Sequence, residues 1–158
     1  MDALSFTIPG QPVAKGRPRF STAGRFPRAF TPAKTANYES WVKTCAVQAM
    51  AGRALMTGPV RLSLNMYFEV PSSWPKWKRE AAITDAVRPT GRPDIDNVLK
   101  AIKDACNGLI WRDDAQIVQV HCDKAYDAEP HVAVRVQELP QPDSARAWME
   151  WQREALAA

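Results

Sequence analysis

The chain has 158 residues, 46% of them apolar, a net charge of +4 and three cysteines. Those figures suit one domain with a real core, and no apolar run or cleavable leader points to a membrane or to export. Cys45, Cys106 and Cys122 lack CxxC or CxxH spacing, which argues against a zinc site and for buried free thiols in a reducing cytoplasm. The charge is unevenly placed. Between Asp2 and Glu39 there is no acid, while Lys15, Arg17, Arg19, Arg25, Arg28 and Lys34 make that segment +6 and leave −2 for the rest. A concentrated basic segment is the mark of a polyanion partner, against the plainer reading of a solvated face.

In chain order, Leu4, Phe6 and Ile8 alternate with polar residues as a short strand ended by Pro9-Gly10. Gly10 to Pro32 shows no period and reads as a long functional loop. Its Phe20, Phe26 and Phe30 either stack on bases or pin the loop to the body. A helix starts near Ala33, with Tyr38, Trp41, Val42, Cys45, Ala49 and Met50 on one face and Gly52 as its stop. Val60, Leu62, Leu64, Met66 and Phe68 alternate as the clearest strand. Pro71-Ser72-Ser73 then offers a cap for a short helix from Trp74 to about Thr84. An amphipathic helix follows through Ile95, Val98, Leu99, Ile102, Ala105, Cys106 and Leu109, with Gly108 placed to end it. Strands through Ile117–Tyr126 and Val132–Val136 come next, then a terminal helix from Ser144 to Leu156 bearing Trp148 and Trp151. The order predicts an α+β fold, a small mixed sheet of about four strands with helices packed on one face.

Two pairs of carboxylates bracket the amphipathic helix, Asp94/Asp96 before it and Asp113/Asp114 after it. Oxygen ligands gathered beside a basic segment suit Mg²⁺, which takes few carboxylates and usually sits beside a phosphate. Capping and the helix macrodipole would explain acids at a helix start equally well, but not the pair at the far end. A helix of some 15 residues would hold its ends about 25 Å apart. One shared ion therefore requires the chain to fold back near Asn107-Gly108 and set Asp114 alongside the helix start. Lys100, one turn from Asp96, either meets a phosphate or water or pairs with Asp96 or Asp104. There is no GxxxxGK or GxGxxG motif and no nucleophile–histidine arrangement, so no small-molecule cofactor is expected. His121 reads as a surface residue.

Pro93-Asp94-Ile95-Asp96-Asn97-Val98-Leu99-Lys100, followed by Trp111-Arg112-Asp113-Asp114-Ala115-Gln116-Ile117, resembles the RusA family of Holliday-junction resolvases, endonucleases common in prophages. The pattern Asp-x-Asp-Asn-(two apolar)-Lys, then Asp-Asp-x-Gln-Ile/Val, is met at every position. Lys15-Gly16-Arg17-Pro18-Arg19 and Lys124-x-Tyr126 extend the likeness to about residues 5 to 137. It suggests a RusA-like domain over 1–140 and a helical extension over 141–158. The resemblance implies a dimeric enzyme of DNA recombination and repair, dependent on Mg²⁺ with Mn²⁺ as a substitute, that cuts four-way junctions by paired symmetric nicks. It carries metal binding onto Asp94, Asp96 and Asp114, with Asp113 assisting and Lys100 as base or phosphate contact. DNA contacts fall to Lys15, Arg17, Arg19, Arg25, Arg28 and Lys124. A PD-(D/E)xK nuclease is excluded, since the chain contains no (D/E)-x-K triplet. The competing reading is a junction- or duplex-binding protein without cleavage, its acids serving as caps and ion-pair partners.

Overall fold

A computed structural model describes residues 3–17, 19–21, 28–30 and 33–157, with side chains left aside for 19–21 and 28–30. The alternating segments become β1 (Leu4–Pro9), β4 (Val60–Glu69), β5 (Ile117–Asp127) and β6 (His131–Glu138), in one sheet of order β1-β6-β4-β5. β6 pairs antiparallel with β1 and β4, whereas β4 and β5 run parallel, so the sheet is mixed. The expected α+β class is what the chain adopts. Among the described residues no helix is long and apolar enough to cross a membrane.

The core follows from the period. Val60, Leu62, Leu64, Met66 and Phe68 of β4 turn to one face with Leu4 and Ile8 of β1 and Val132, Val134 and Val136 of β6. α1 (Ala33–Met50) and α3 (Ile95–Cys106) close that face with Val42, Ala46, Val98, Ala101, Ile102 and Ala105. Each large aliphatic side chain so buried contributes about 1.5–3 kcal/mol of transfer free energy. The opposite face, with Ser5, Thr7, Ser63, Asn65 and Arg135, is polar.

The structure corrects the sequence reading in several places. The segment expected to be a structureless loop contains an antiparallel ribbon, β2 (Arg19–Ser21) with β3 (Arg28–Phe30). Three residues per strand are too few to display a period. Trp41, expected in the core, is half exposed and donates its indole N–H to the Pro9 carbonyl at 2.9 Å. α2 (Lys76–Ile83) starts later than expected, with Pro75 at its N-cap position, and Trp74 lies outside it. α3 stops at Cys106, and Gly108, at φ +73°, turns the chain as expected. The terminal helix α4 (Ala145–Ala157) buries none of its residues and leaves Trp148 and Trp151 exposed.

Candidate active site

Asp94 occupies the N-cap position of α3 with extended backbone (φ −74°, ψ 148°), yet its side chain makes no capping hydrogen bond. Asp96 lies in the first turn, and Ile95 between them packs against the core. Both carboxylates are exposed. Capping therefore does not account for Asp94, whose oxygens stay available to a ligand. Lys100 follows one turn later and is also exposed.

The basic N-terminal segment docks against this helix start. The Lys15 amide donates to the Asn97 carbonyl at 2.9 Å, and the Gly16 amide donates to buried Thr35 Oγ1 at 2.8 Å. A cleft of about 440 Å³ results, lined by Ala14, Arg17, Arg92, Pro93, Asp94 and Asn97. Two guanidinium groups and one uncapped carboxylate thus share one opening, the charge pattern a phosphate and a hard cation would need together.

The other predicted cations divide. The Lys15 amine is hydrogen-bonded to Asp104 and lies 3.4 Å from Glu39. The Asp104 hydrogen bond leads in raising its pKa above the ordinary lysine value. Lys124 donates to the Gly91 carbonyl at 2.7 Å and to the Pro93 carbonyl at 3.0 Å, so it holds the segment that delivers Asp94. Arg19 and Arg28 sit in the β2–β3 ribbon, and Arg25 lies outside the described residues.

Asp113 and Asp114 belong to a different corner. Asp113 caps the 3₁₀ turn Asp114–Gln116, accepting from the Ala115 amide at 2.7 Å. Gln116 returns the bond by accepting from the Asp113 amide at 2.8 Å. Its amide nitrogen donates to the carbonyls of Met56 at 3.1 Å and Gly58 at 2.9 Å, tying the turn to the start of β4. Asp114 Oδ1 accepts from the indole of fully buried Trp111 at 2.9 Å, and Oδ2 lies 3.7 Å from Lys103 Nζ. Trp111, Lys103 and Gln116 were not given roles from sequence. The Asp-Asp-x-Gln spacing was the available signal for Gln116, since a capping box needs those residues at those offsets.

The expected gathering of Asp94, Asp96 and Asp114 is not found among the described residues. Lys103, near the end of α3, reaches Asp114, whereas Lys124, near the end of β5, reaches Pro93 at the helix start. β5 therefore begins where α3 ends. Among the described residues, no three His, Cys, Asp or Glu side chains gather as a metal site. The donor chemistry fits a hard cation, with uncapped oxygens at one end and an oriented carboxylate at the other, but one chain holds the two halves apart.

Comparison with known proteins gives a consistent picture. Residues 9–137 match the family model described as endodeoxyribonuclease RusA. An uncharacterized protein YqaN of Bacillus subtilis (strain 168) is 39% identical over 141 residues, 88% of this chain and 99% of that protein. A crossover junction endodeoxyribonuclease rusA of Lactococcus phage r1t is 27% identical over 84 residues, 51% of this chain and 56% of its own.

Proposed function

This chain belongs to the RusA family of endodeoxyribonucleases, and from that premise we propose that it is a divalent-metal-dependent endonuclease resolving four-way DNA junctions by paired symmetric nicks. The observation that carries the reading is the uncapped Asp94 in a cleft shared with Arg17 and Arg92, with Asp96 two residues on and Lys100 one turn beyond Asp96. When bound, Mg²⁺, or Mn²⁺ in its place, supplies charge stabilisation at the phosphate and lowers the pKa of water. Arg17 and Arg92 hold the scissile phosphate against the helix start, and Lys100 contacts it or takes the proton from the attacking water. The products carry a 5′-phosphate and a 3′-hydroxyl. Arg19, Arg25 and Arg28 extend the contact along the DNA backbone, while Lys15 and Lys124 act by positioning, as their partners require.

Asp114 completes the metal site from a second copy. Lys103 near the end of α3 reaches Asp114 while Lys124 reaches Pro93 at the helix start, which supports this reading. A twofold dimer supplies two whole sites, and two nicks related by the symmetry of a four-way junction need that arrangement. The free thiols suit a reducing compartment such as the cytoplasm. The test is to incubate a labelled four-way junction with the protein and Mg²⁺, with EDTA as control. Two symmetric nicks that disappear with EDTA support the reading. Binding without cleavage would favour a junction-binding protein instead.

A further inference from the structure

Two tryptophans stand three residues apart around the start of α2, and the fold treats them differently. Trp74 packs edge-on against Tyr126 of β5 with ring centres 5.4 Å apart, and Lys78 Nζ lies 3.9 Å from its ring centre. Trp77, in the first turn of α2, is 66% exposed and stacks on no other ring among the described residues. Beside it runs a shallow groove of about 410 Å³ lined by Lys76, Arg79, Glu80, Ile83 and Thr84. Trp77 lies one turn before Glu80 and two before Thr84, so its ring borders that groove. Ile83 is half exposed, and Arg79 forms no ion pair among the described residues. From Pro71 to Pro93 the cations Lys76, Lys78, Arg79, Arg88 and Arg92 outweigh the acids Glu80 and Asp85.

We propose that the outer face of α2 binds single-stranded DNA beside the cut site, a base stacking on Trp77 while Lys76 and Arg79 hold the flanking phosphates. The inference rests on the nuclease reading proposed above and names the class of branch it favours, one with an unpaired strand. The anchors of α2 set its position. Tyr126, which holds Trp74, and Lys124, which holds Gly91 and Pro93, are two residues apart on one side of β5, roughly 6–7 Å from each other. The same segment then delivers Arg92 and Asp94 to their cleft, so the basic face of α2 continues into the phosphate site. A duplex covers the faces of its bases with their neighbours, whereas an unpaired base offers a free face to an exposed indole. Stacking reads no hydrogen-bond pattern, so the face is indifferent to which base it meets. A protein partner would suit Trp77 and Ile83 but would have to desolvate Lys76, and lysine is depleted from the cores of such interfaces.

The experiment measures binding of the full chain to labelled oligothymidine and to a duplex of equal length, both in EDTA so that nothing is cut. Trp77→Ala should weaken oligothymidine binding by about tenfold, the scale of one lost base stack, and leave duplex binding unchanged. Trp77→Phe should retain most of the affinity, since a phenyl ring also stacks. Replacing Lys76 and Arg79 by Ala should flatten the salt dependence of oligothymidine binding by about 0.7 unit of slope per lost phosphate contact. With Mg²⁺ restored, Trp77→Ala should cut a fully paired four-way junction as wild type does. It should lose the preference that wild type shows for a branch with one unpaired arm. A Trp77→Ala protein that binds oligothymidine as tightly as wild type, or that loses single-strand and duplex affinity alike, would overturn the proposal. Wild type that binds oligothymidine through Trp77 but cuts no junction would refute the nuclease reading and leave the single-strand site standing.

Discussion

Replacing Gln116 by Ala removes three hydrogen bonds at once, two donated to the Met56 and Gly58 carbonyls and one accepted from the Asp113 amide. Each bond is worth about 0.5–1.5 kcal/mol net. The residue is half buried, so water recovers part of the loss, and we expect destabilisation of about 2 kcal/mol. For a domain of this size that lowers the melting temperature by about 4–8 °C. The turn that presents Asp114 loosens as well, and the Mg²⁺ concentration for half-maximal cleavage should rise about tenfold. Gln116→Glu keeps the acceptor but directs a carboxylate at two carbonyl oxygens, beside Asp113 and Asp114, and should cost at least as much. Urea denaturation followed by circular dichroism and a Mg²⁺ titration of junction cleavage give the two numbers. A Gln116→Ala protein within about 0.5 kcal/mol of wild type, with unchanged Mg²⁺ dependence, would show that this residue does not hold the corner.

Asp94→Asn, Asp96→Asn and Asp114→Asn should each abolish junction cleavage while thermal unfolding stays near wild type; retained cleavage at saturating Mg²⁺ removes that residue from the site. Replacing Arg17 and Arg19 by Ala should flatten the salt dependence of junction affinity by about one unit of slope per lost phosphate contact, measured by titration from low to physiological salt. Deleting residues 141–158 should leave stability to urea nearly unchanged, because α4 buries nothing in the protomer; a large loss would mean that the helix is held elsewhere. Burial pushes the Cys106 thiol up to about 12 and raises Cys122 less clearly, so native Cys106 should resist iodoacetamide at pH 8 while half-buried Cys122 reacts first. The unfolded chain releases the Cys106 proton near the ordinary thiol value while the fold retains it. This contribution to stability is therefore full below about pH 9 and declines as the pH rises toward 12.

The elements legible in the sequence are those whose period reports a buried face. β4 alternates over its whole length and α3 keeps a helical stripe from Ile95 to Cys106, and both adopt the expected form. The β2–β3 ribbon was invisible because each strand is three residues long. Trp41 fell on the apolar stripe of α1 by spacing alone, but its indole satisfies the Pro9 carbonyl at the surface. The two pairs of acids around α3 are legible as residues, but where the fold places each pair is not. Local pattern shows that the chain turns after Gly108, but not where β5 will run against α3; pairing of β5 alongside β4 decides that.

The central claim, that two copies each supply part of one metal site, is tested most directly by mixing inactive variants. Asp94→Asn/Asp96→Asn protein and Asp114→Asn protein are each unable to build a whole site. Refolded together, their mixed dimers contain one site with Asp94 and Asp96 from one chain and Asp114 from the other. Such a mixture should recover Mg²⁺-dependent nicking of a labelled four-way junction, one strand per mixed dimer. A mixture of Asp94→Asn with Asp96→Asn should recover none. If subunit exchange is verified, wild type cuts and the first mixture stays as inactive as its components, the shared site is contradicted.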